Sequence, residues 1–498
     1  MKVYSTLTRQ KEEFLAQGDV IKMYVCGVTP YSDAHLGHAM SYIVFDAIRR
    51  YLRFRGYKVK CVQNITDIDD KIIDRADRLG ISVGELAGKY IDSFFEDMDA
   101  LNIARADIYP LATEEIPKII EVIQGLINKG HAYPAGGSVY FRVRSAADYG
   151  KLAHRNLEGM MAGARIEAED EKEHPMDFVM WKGAKPGEPS WESPWGQGRP
   201  GWHIECSAMS LKYLGDTFDI HGGGLDLVFP HHENEIAQSE SFTGVKPFVK
   251  YWLHNGLVQL GEEKMSKSLG NIITIKEALE EYSTDAIRIF VLSSHYRSPL
   301  TYSEEALEAA EGGLRRLLQA AHPSEPVYKG DPEEIPTAKA YYERFEAAMD
   351  EDFNTPQAIA VLFDLASTIN RAANLGYLDE VGEYRLLFGK IADVLGLKLE
   401  TPNQISGYVD TEGVDREEIT KMRGEKLALL LDTIEDIAVD SSKDIETARG
   451  YVNLALAVRD ALRDDEQFKR ADAIRNRLTK CGFSIKDTLL RPEWTFKR

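Results

Sequence analysis

The chain has 498 residues, 44% of them hydrophobic and 28% charged, which is the composition of a folded globular protein and excludes a disordered, fibrous or low-complexity chain; the length asks for two to four domains. With 60 Lys and Arg against 80 Asp and Glu the net charge is −20, so a polyanionic partner needs a local basic surface. Four scattered cysteines, Cys26, Cys61, Cys206 and Cys481, exclude a disulfide framework and point to a reducing compartment with metal-binding or catalytic thiols.

The N-terminus has no apolar signal core and no apolar run approaches the roughly 18 residues of a membrane span, so secretion and membrane insertion are disfavoured and a cytoplasmic location is expected. From Ile21 to Thr29 the run IKMYVCGVT predicts a buried strand. Ile43, Ala47, Ile48, Tyr51 and Leu52 then recur at helical spacing between Gly37 and Arg55, with Gly56 at the stop. A second strand begins at Lys58 (KVKCVQNIT). Strand, helix, strand is the opening of a parallel α/β sheet, in which ligands gather at the carboxyl ends of strands. Residues 111 to 135 carry a helical pattern, and Tyr133 to Val143 (YPAGGSVYFRV) reads as a Gly-turned hairpin leading into an acidic stretch, EAEDEKEH. This is the pattern of an insertion. Sheet-like sequence resumes near Phe218 (FDIHGGGLDLVF), and Trp252 to Leu260 precedes the loop GEEKMSKSLGN, so the α/β core is split. Beyond about residue 303 three helical patterns predict a bundle. Residues 401 to 415 have linker composition. Tyr451 to Arg498 holds 11 Lys and Arg against 7 Asp and Glu, a net +4 that leaves −24 on the first 450 residues.

Three clusters carry chemistry. His35-Leu36-Gly37-His38 puts two imidazoles and a glycine where a strand ends and a helix starts, a place where free N–H groups and imidazole donors suit phosphate. Lys264-Met265-Ser266-Lys267-Ser268 puts two ammonium groups in a short loop that can close on a triphosphate. Cys26, Cys206 and the run Pro230-His231-His232-Glu233-Asn234-Glu235 offer thiols, imidazoles and a carboxylate that can complete a Zn²⁺ site. His231 with Glu235 at i, i+4 and His232 with Glu235 at i, i+3 are both acceptable pairs, so spacing leaves the histidine open.

HLGH and KMSKS on one alternating α/β chain resemble the paired signatures of class I aminoacyl-tRNA synthetases. YVCGVTPYSDAHLGHAM, NITDIDDKI, SPWGQGRPGWHIECSAM, FDIHGGGLDLVFPHHENEIAQSE and EEKMSKSLGN narrow the resemblance to the cysteinyl-tRNA synthetases. It implies a Rossmann-like parallel-sheet α/β catalytic domain over residues 1–302, with a connective insertion at about 118–200 and the KMSKS region at 261–302. A helical bundle over 303–400 for the anticodon stem, a linker and helix over 401–450 and a small basic anticodon-reading domain over 451–498 would follow. The implied reaction is ATP-dependent activation of L-cysteine and its transfer to tRNA(Cys) by a monomer, with one Zn²⁺ per chain and Mg²⁺ accompanying ATP. The family's zinc ligands fall on Cys26, Cys206, His231 and Glu235, its cysteine pocket on Gly27, Thr66 and Trp202, and its nucleoside segment on Gly222, Gly223, Gly224 and Asp226. His35, His38, Lys264 and Lys267 are the implied catalytic residues, and His35, His38 and Lys267 are the ones that contact ATP.

One departure stands out: where the family more often reads CGPTVYD, this chain has Cys26-Gly27-Val28-Thr29-Pro30-Tyr31-Ser32. That order also resembles the ligases that join activated cysteine to an amino sugar in mycothiol biosynthesis. Those lack a long tRNA-reading C-terminal region, whereas here some 190 residues follow Tyr302. A third reading, a non-catalytic RNA- or zinc-binding relative, is disfavoured by the intact His35, His38, Lys264 and Lys267.

Overall fold

The buried strand spans Val20–Val28 and sits inside a four-stranded sheet, between Lys58–Ile65 and Phe218–Gly224, with Val249–Asn255 outside the latter. All three pairings are parallel. The computed structural model describes residues 1–157, 159, 171–260, 263–264, 272–321, 336–375, 378–399, 405–408, 431–432, 434, 448–464, 468–481, 483–486 and 493–496. They divide into two units, Met1–Leu399 and Glu400–Arg498.

In the first unit, helix Leu36–Phe54 joins the two strands of the opening βαβ unit and buries Met40, Ile43, Val44, Ala47, Ile48, Tyr51 and Leu52. Each such apolar side chain adds roughly 1.5–3 kcal/mol when fully buried, which is why this face turns to the sheet. From Val20–Val28 the chain crosses to Lys58–Ile65 on one side, while the later strands add to its other edge, so a crevice opens at the carboxyl ends of the central pair. Register shifts between Val25 and Val28. There Gly27 lies against the neighbouring backbone so closely that a Cβ would fall 1.5 Å from the Asn64 carbonyl oxygen.

The helix expected over 111–135 is confined to Ile116–Asn128. Pro117 stands in its first turn, and the residues before it run beside the sheet edge through the bridges Val62–Ile108 and Ile65–Leu111. The inserted antiparallel sheet follows, in the order Ala132–Ala135, Ser138–Phe141, Phe178–Gly183, Gly198–Pro200. Helix Trp202–Leu214 leads back to the parallel sheet. Trp252 to Leu260 spans parts of two strands: Val249–Asn255 is the edge of the parallel sheet, and Val258–Leu260 pairs with Leu300–Tyr302 and Glu263–Lys264.

Helices Glu304–Ala321, Ala338–Asp350, Thr355–Leu375 and Leu378–Val394 share one hydrophobic core with helix Leu36–Phe54; Tyr51 meets Phe345 and Phe353 edge-on at 6.0 and 6.3 Å. Fully buried Arg288 pairs with Asp46 at 2.8 Å and donates to the carbonyls of Leu101 and Leu395, each at 3.0 Å. These contacts satisfy a charge that burial would otherwise make costly.

The second unit packs helices Ala448–Asp464 and Phe468–Lys480 through Val452, Leu456, Ile474 and Leu478. A three-stranded antiparallel sheet, ordered Ile405–Tyr408, Glu493–Phe496, Phe483–Lys486, accompanies them. One strand thus lies within the stretch expected to be a linker, because its partner comes from the far end of the chain. Among the described residues no helix is long and apolar enough to cross a membrane.

Candidate active site and metal centre

At the carboxyl ends of the central strands opens a cleft of about 310 Å³, lined by Cys26, Gly27, His35, His38, Trp202 and Asp226, among others. His35 is the N-cap of helix Leu36–Phe54. Its Nδ1 accepts from Gly37 N–H at 3.1 Å, while His38 Nδ1 accepts from His35 N–H at 3.2 Å. Both neutral rings therefore carry their proton on Nε2, and they stack 3.9 Å apart. The glycine between them has a steric reason, since a Cβ on Gly37 would lie 2.9 Å from the His35 ring. Ala34 to Leu36 also pair with Ile273 to Ile275: Leu36 N–H donates to Ile273 O and Ile275 N–H to Ala34 O, both at 3.0 Å, around a His35–Thr274 bridge. The start of HLGH is thereby tied to the segment that follows KMSKS. Lys264 lies in strand Glu263–Lys264, with its side chain outside the described residues, and Lys267 lies outside them altogether.

Across the cleft, Gly224 and Asp226 contribute to the lining, while Gly222 faces Phe45 and Gly223 faces His232 and Leu227. Trp202 opens helix Trp202–Leu214, is 40% exposed and packs its ring 4.3 Å from that of His231. Thr66 is buried and donates to Glu205 Oε2 at 2.8 Å. Asn64 links it onward, donating to Thr66 Oγ1 at 3.3 Å and accepting Gly27 N–H at 2.9 Å.

Behind Trp202 the sulfur and nitrogen chemistry converges. Cys26, His231, His232 and Glu235 are buried, with ligand atoms all within 4.8 Å of one another. His231 Nε2 lies 3.0 Å from Glu235 Oε1, and Cys26 Sγ lies 3.1 Å from His232 Nε2 and 3.8 Å from Glu235 Oε1. Cys206, also buried, interacts electrostatically with Cys26 and His231 but lies outside this four-residue group, in which His232 stands where Cys206 was expected. Both histidines that spacing left open are thus present.

A second layer of imidazoles holds the first. His221 Nε2 meets Glu235 Oε2 at 2.8 Å, His254 Nε2 meets His232 Nδ1 at 2.7 Å, and His203 Nδ1 meets His231 Nδ1 at 3.0 Å. Thr6 Oγ1 in turn meets His254 Nδ1 at 2.7 Å. Such partners fix ring orientation and ligand basicity. His203, His221 and His254 went unrecognised in the sequence, as did Lys71 in the cleft wall. His203, one helical turn before Cys206, carried the only local signal.

The electrostatics fit a cation. Burial would raise Glu235, but His221 and His231 outweigh it and hold the carboxyl down to about 2. Burial would lower His231, yet Glu235 and Cys206 hold it up to about 10. Burial and the surrounding imidazoles push His232 well down, leaving a neutral ring able to ligate. A carboxylate and a thiol that together recruit a proton onto a fully buried imidazole are asking for positive charge, and thiol, imidazole and carboxylate donors are those of Zn²⁺ more than of Mg²⁺ or Ca²⁺.

Comparison with known proteins gives the family. The family described as "tRNA synthetases class I (C) catalytic domain" matches residues 13–312, and "DALR domain" matches 344–400. The chain is 54% identical over 500 residues to the "Cysteine--tRNA ligase" of Dehalococcoides mccartyi and 46% identical over 508 residues to that of Geobacter sulfurreducens, each match covering 100% of both chains. Among solved structures it shares its fold with a Mycobacterium tuberculosis methionyl-tRNA synthetase in complex with methionyl-adenylate, at TM-score 0.53 and 18% identity over 76% of this chain and 90% of that one. A Thermus thermophilus arginyl-tRNA synthetase gives TM-score 0.51 at 13% identity, over 79% and 84%. The chain belongs to the cysteine–tRNA ligases, a family of class I aminoacyl-tRNA synthetases.

Proposed function

We propose that the protein activates L-cysteine with ATP and transfers it to the 3′ end of tRNA(Cys), choosing cysteine by its thiol at the centre formed by Cys26, Cys206, His231 and Glu235. The observation that carries this reading is a cleft whose wall holds both a phosphate-suited helix start and Cys26, the one member of the buried thiol, imidazole and carboxylate cluster that reaches it. Serine differs from cysteine by one atom, and a pocket relying on shape alone gains only about 1–3 kcal/mol from so small a difference. A bound Zn²⁺ would supply a soft Lewis acid that prefers sulfur to a neutral hydroxyl and lowers the thiol pKa. Cys26, Cys206, His231 and Glu235 would hold it, with His232 adjacent as a neutral imidazole.

In the first step the cysteine carboxylate oxygen attacks the α-phosphorus of ATP, forming the acyl–phosphate bond as the bond to pyrophosphate breaks. Mg²⁺ arrives with ATP as part of the substrate. His35 and His38, with protons on Nε2, donate to phosphate oxygens as charge grows, and the N–H groups opening helix Leu36–Phe54 add to them. Lys264 and Lys267 of the KMSKS motif supply positive charge to the phosphates, while Gly222 to Gly224 and Asp226 receive the nucleoside, the carboxylate accepting from ribose hydroxyls. Gly27, Thr66 and Trp202 shape the amino-acid pocket, Thr66 acting through Asn64 and Glu205. In the second step a hydroxyl of the terminal ribose attacks the carbonyl carbon, releases AMP and gives up its proton. Such chemistry rests on positioning and charge stabilisation rather than on a protein nucleophile.

The decisive experiment offers an unfractionated tRNA pool with labelled cysteine or serine. Cysteine alone should become attached to RNA; labelling of an amino sugar in place of tRNA would overturn the reading in favour of the sugar-ligase alternative. A second measurement tests the division of labour: the chain ended at Leu399 should keep cysteine-dependent ATP–pyrophosphate exchange and lose most tRNA charging, because the net +4 of Tyr451 to Arg498 is gone. Undiminished charging by that fragment would remove any role in tRNA reading from the second unit.

A further inference from the structure

Beside the catalytic cleft the first unit has another cavity, of about 510 Å³. Three stretches wall it, from Tyr4 to Arg9, from Leu152 to Arg155 and from Leu225 to Phe229, with Arg297 and His254 completing it. It shares Asp226 with the cleft, so a chain-like ligand with its tip among the reacting groups can continue into it. We infer that this cavity seats the single-stranded 3′ segment of the tRNA behind its terminal adenosine, an inference that rests on the activity proposed above.

The lining has the chemistry of a single-strand RNA site. Three guanidinium groups, Arg9, Arg155 and Arg297, face one cavity in a chain of net charge −20. Arg297 is fixed, bonded to buried Asp352 at 2.8 Å and lying 4.4 Å over the Tyr4 ring. Arg9 and Arg155 are exposed, and among the described residues neither has an ion-pair partner. Unpaired arginines suit phosphate, which accepts two parallel N–H bonds from one guanidinium. Apolar surface is interleaved with them: Leu225 is 50% exposed, and Tyr4 and Phe229 also line the cavity. Alternating cations and stacking surfaces are what unpaired nucleotides bind.

The backbone supports this. Arg9 at φ 57° and His154 at φ 54° are two non-glycine residues in the left-handed region, one on each wall. The walls are joined where His154 Nε2 meets Thr6 O at 2.9 Å. Strain of this kind persists when the surrounding structure demands it, and here it holds the two exposed arginines on facing stretches of chain.

The test uses the full-length enzyme carrying Arg9→Ala and Arg155→Ala together, beside the charge-preserving Arg9→Lys and Arg155→Lys pair. Charging of a tRNA pool is measured against cysteine-dependent ATP–pyrophosphate exchange at several salt concentrations. In the alanine pair the ratio of charging to exchange should fall about tenfold or more, and the salt dependence of tRNA binding should flatten by about 0.7 in log–log slope for each phosphate that an arginine no longer neutralises. The lysine pair should keep most of the slope. A ratio within twofold of the parent would overturn the inference, as would a matching rise in KM for ATP, which would assign these arginines to the triphosphate. Failure of the parent enzyme to exchange with cysteine would count against the activity instead; tRNA binding by the parent and the alanine pair, compared on filters, would still decide the cavity.

Discussion

The two ends of the cleft are built on opposite plans. At the metal end every candidate ligand is buried and two of the three imidazoles behind the ligands, His203 and His254, are themselves held near pKa 3 by burial and neighbouring charge. At the nucleotide end His35 and His38 are half-buried and Asp226 is exposed. The proposed discrimination of sulfur from oxygen would need preorganised donors that do not relax toward the wrong substrate. Handling a triphosphate needs room to admit it and release pyrophosphate, and half-buried histidines on a capped helix start leave that room.

Cys206→Ala should break the comparison most severely. It is expected to strip zinc from about one ion per chain to a small fraction and to erase the preference for cysteine over serine, read by metal analysis and exchange with each amino acid. Full zinc with unchanged preference would dismiss the proposed pocket. His38→Ala should instead retain zinc and selectivity while slowing exchange about 10²–10³-fold, the scale of one lost transition-state donor. Simultaneous loss of metal would show that the two ends are not separable. His221→Asn, which removes a partner of Glu235, should lower metal affinity about 10–100-fold in a chelator titration while the nucleotide end still binds ATP.

The smallest effect is at Asp97, beside the segment that joins the nucleotide end to helix Ile275–Glu281. Its carboxyl is raised to about 6 by burial, with Asp33 and Glu96 adding and Lys276 opposing, and its Oδ2 has no hydrogen-bond partner among the described residues. Because the folded state holds this proton more tightly than the unfolded chain, the cost is absent below about pH 4, grows through pH 6 and persists above it. Asp97→Asn should therefore stabilise the protein by on the order of 1 kcal/mol at pH 8 and not at pH 4. Equal unfolding midpoints at pH 8 would count against the charge being the cause.

Much of this was readable in the chain, and the exceptions have a common origin. Strand Val20–Val28, helix Leu36–Phe54 and three of the four helices between Glu304 and Val394 announce themselves by local periodicity, the fourth, Leu378–Val394, having gone unread. His35 and His38 are legible because a helix start has local rules. His254 meets the site for a different reason: parallel pairing of Val249–Asn255 with Phe218–Gly224 sets it beside Gly223. No spacing announces such a neighbour. Likewise Ile405–Tyr408 reads as linker because its partner, Glu493–Phe496, lies at the other end of the unit. Thr66, expected at the pocket, is one remove from it, a distinction that depends on the buried Glu205 carboxylate it binds.

The position of Val20–Val28 in the sheet has a consequence for how the protein is made. Although among the first strands to leave the ribosome, it ends up flanked on both sides, and its second neighbour is not synthesised until residue 218 onward. Throughout that interval one of its edges has no partner, and unpaired edges are where chains associate wrongly. Cys26, near the end of the same strand, meets His231, His232 and Glu235 only once those later residues have been made. A nascent chain stalled before the third strand can neither close this sheet nor assemble the buried cluster, so the candidate metal centre forms only after most of the catalytic domain has been made.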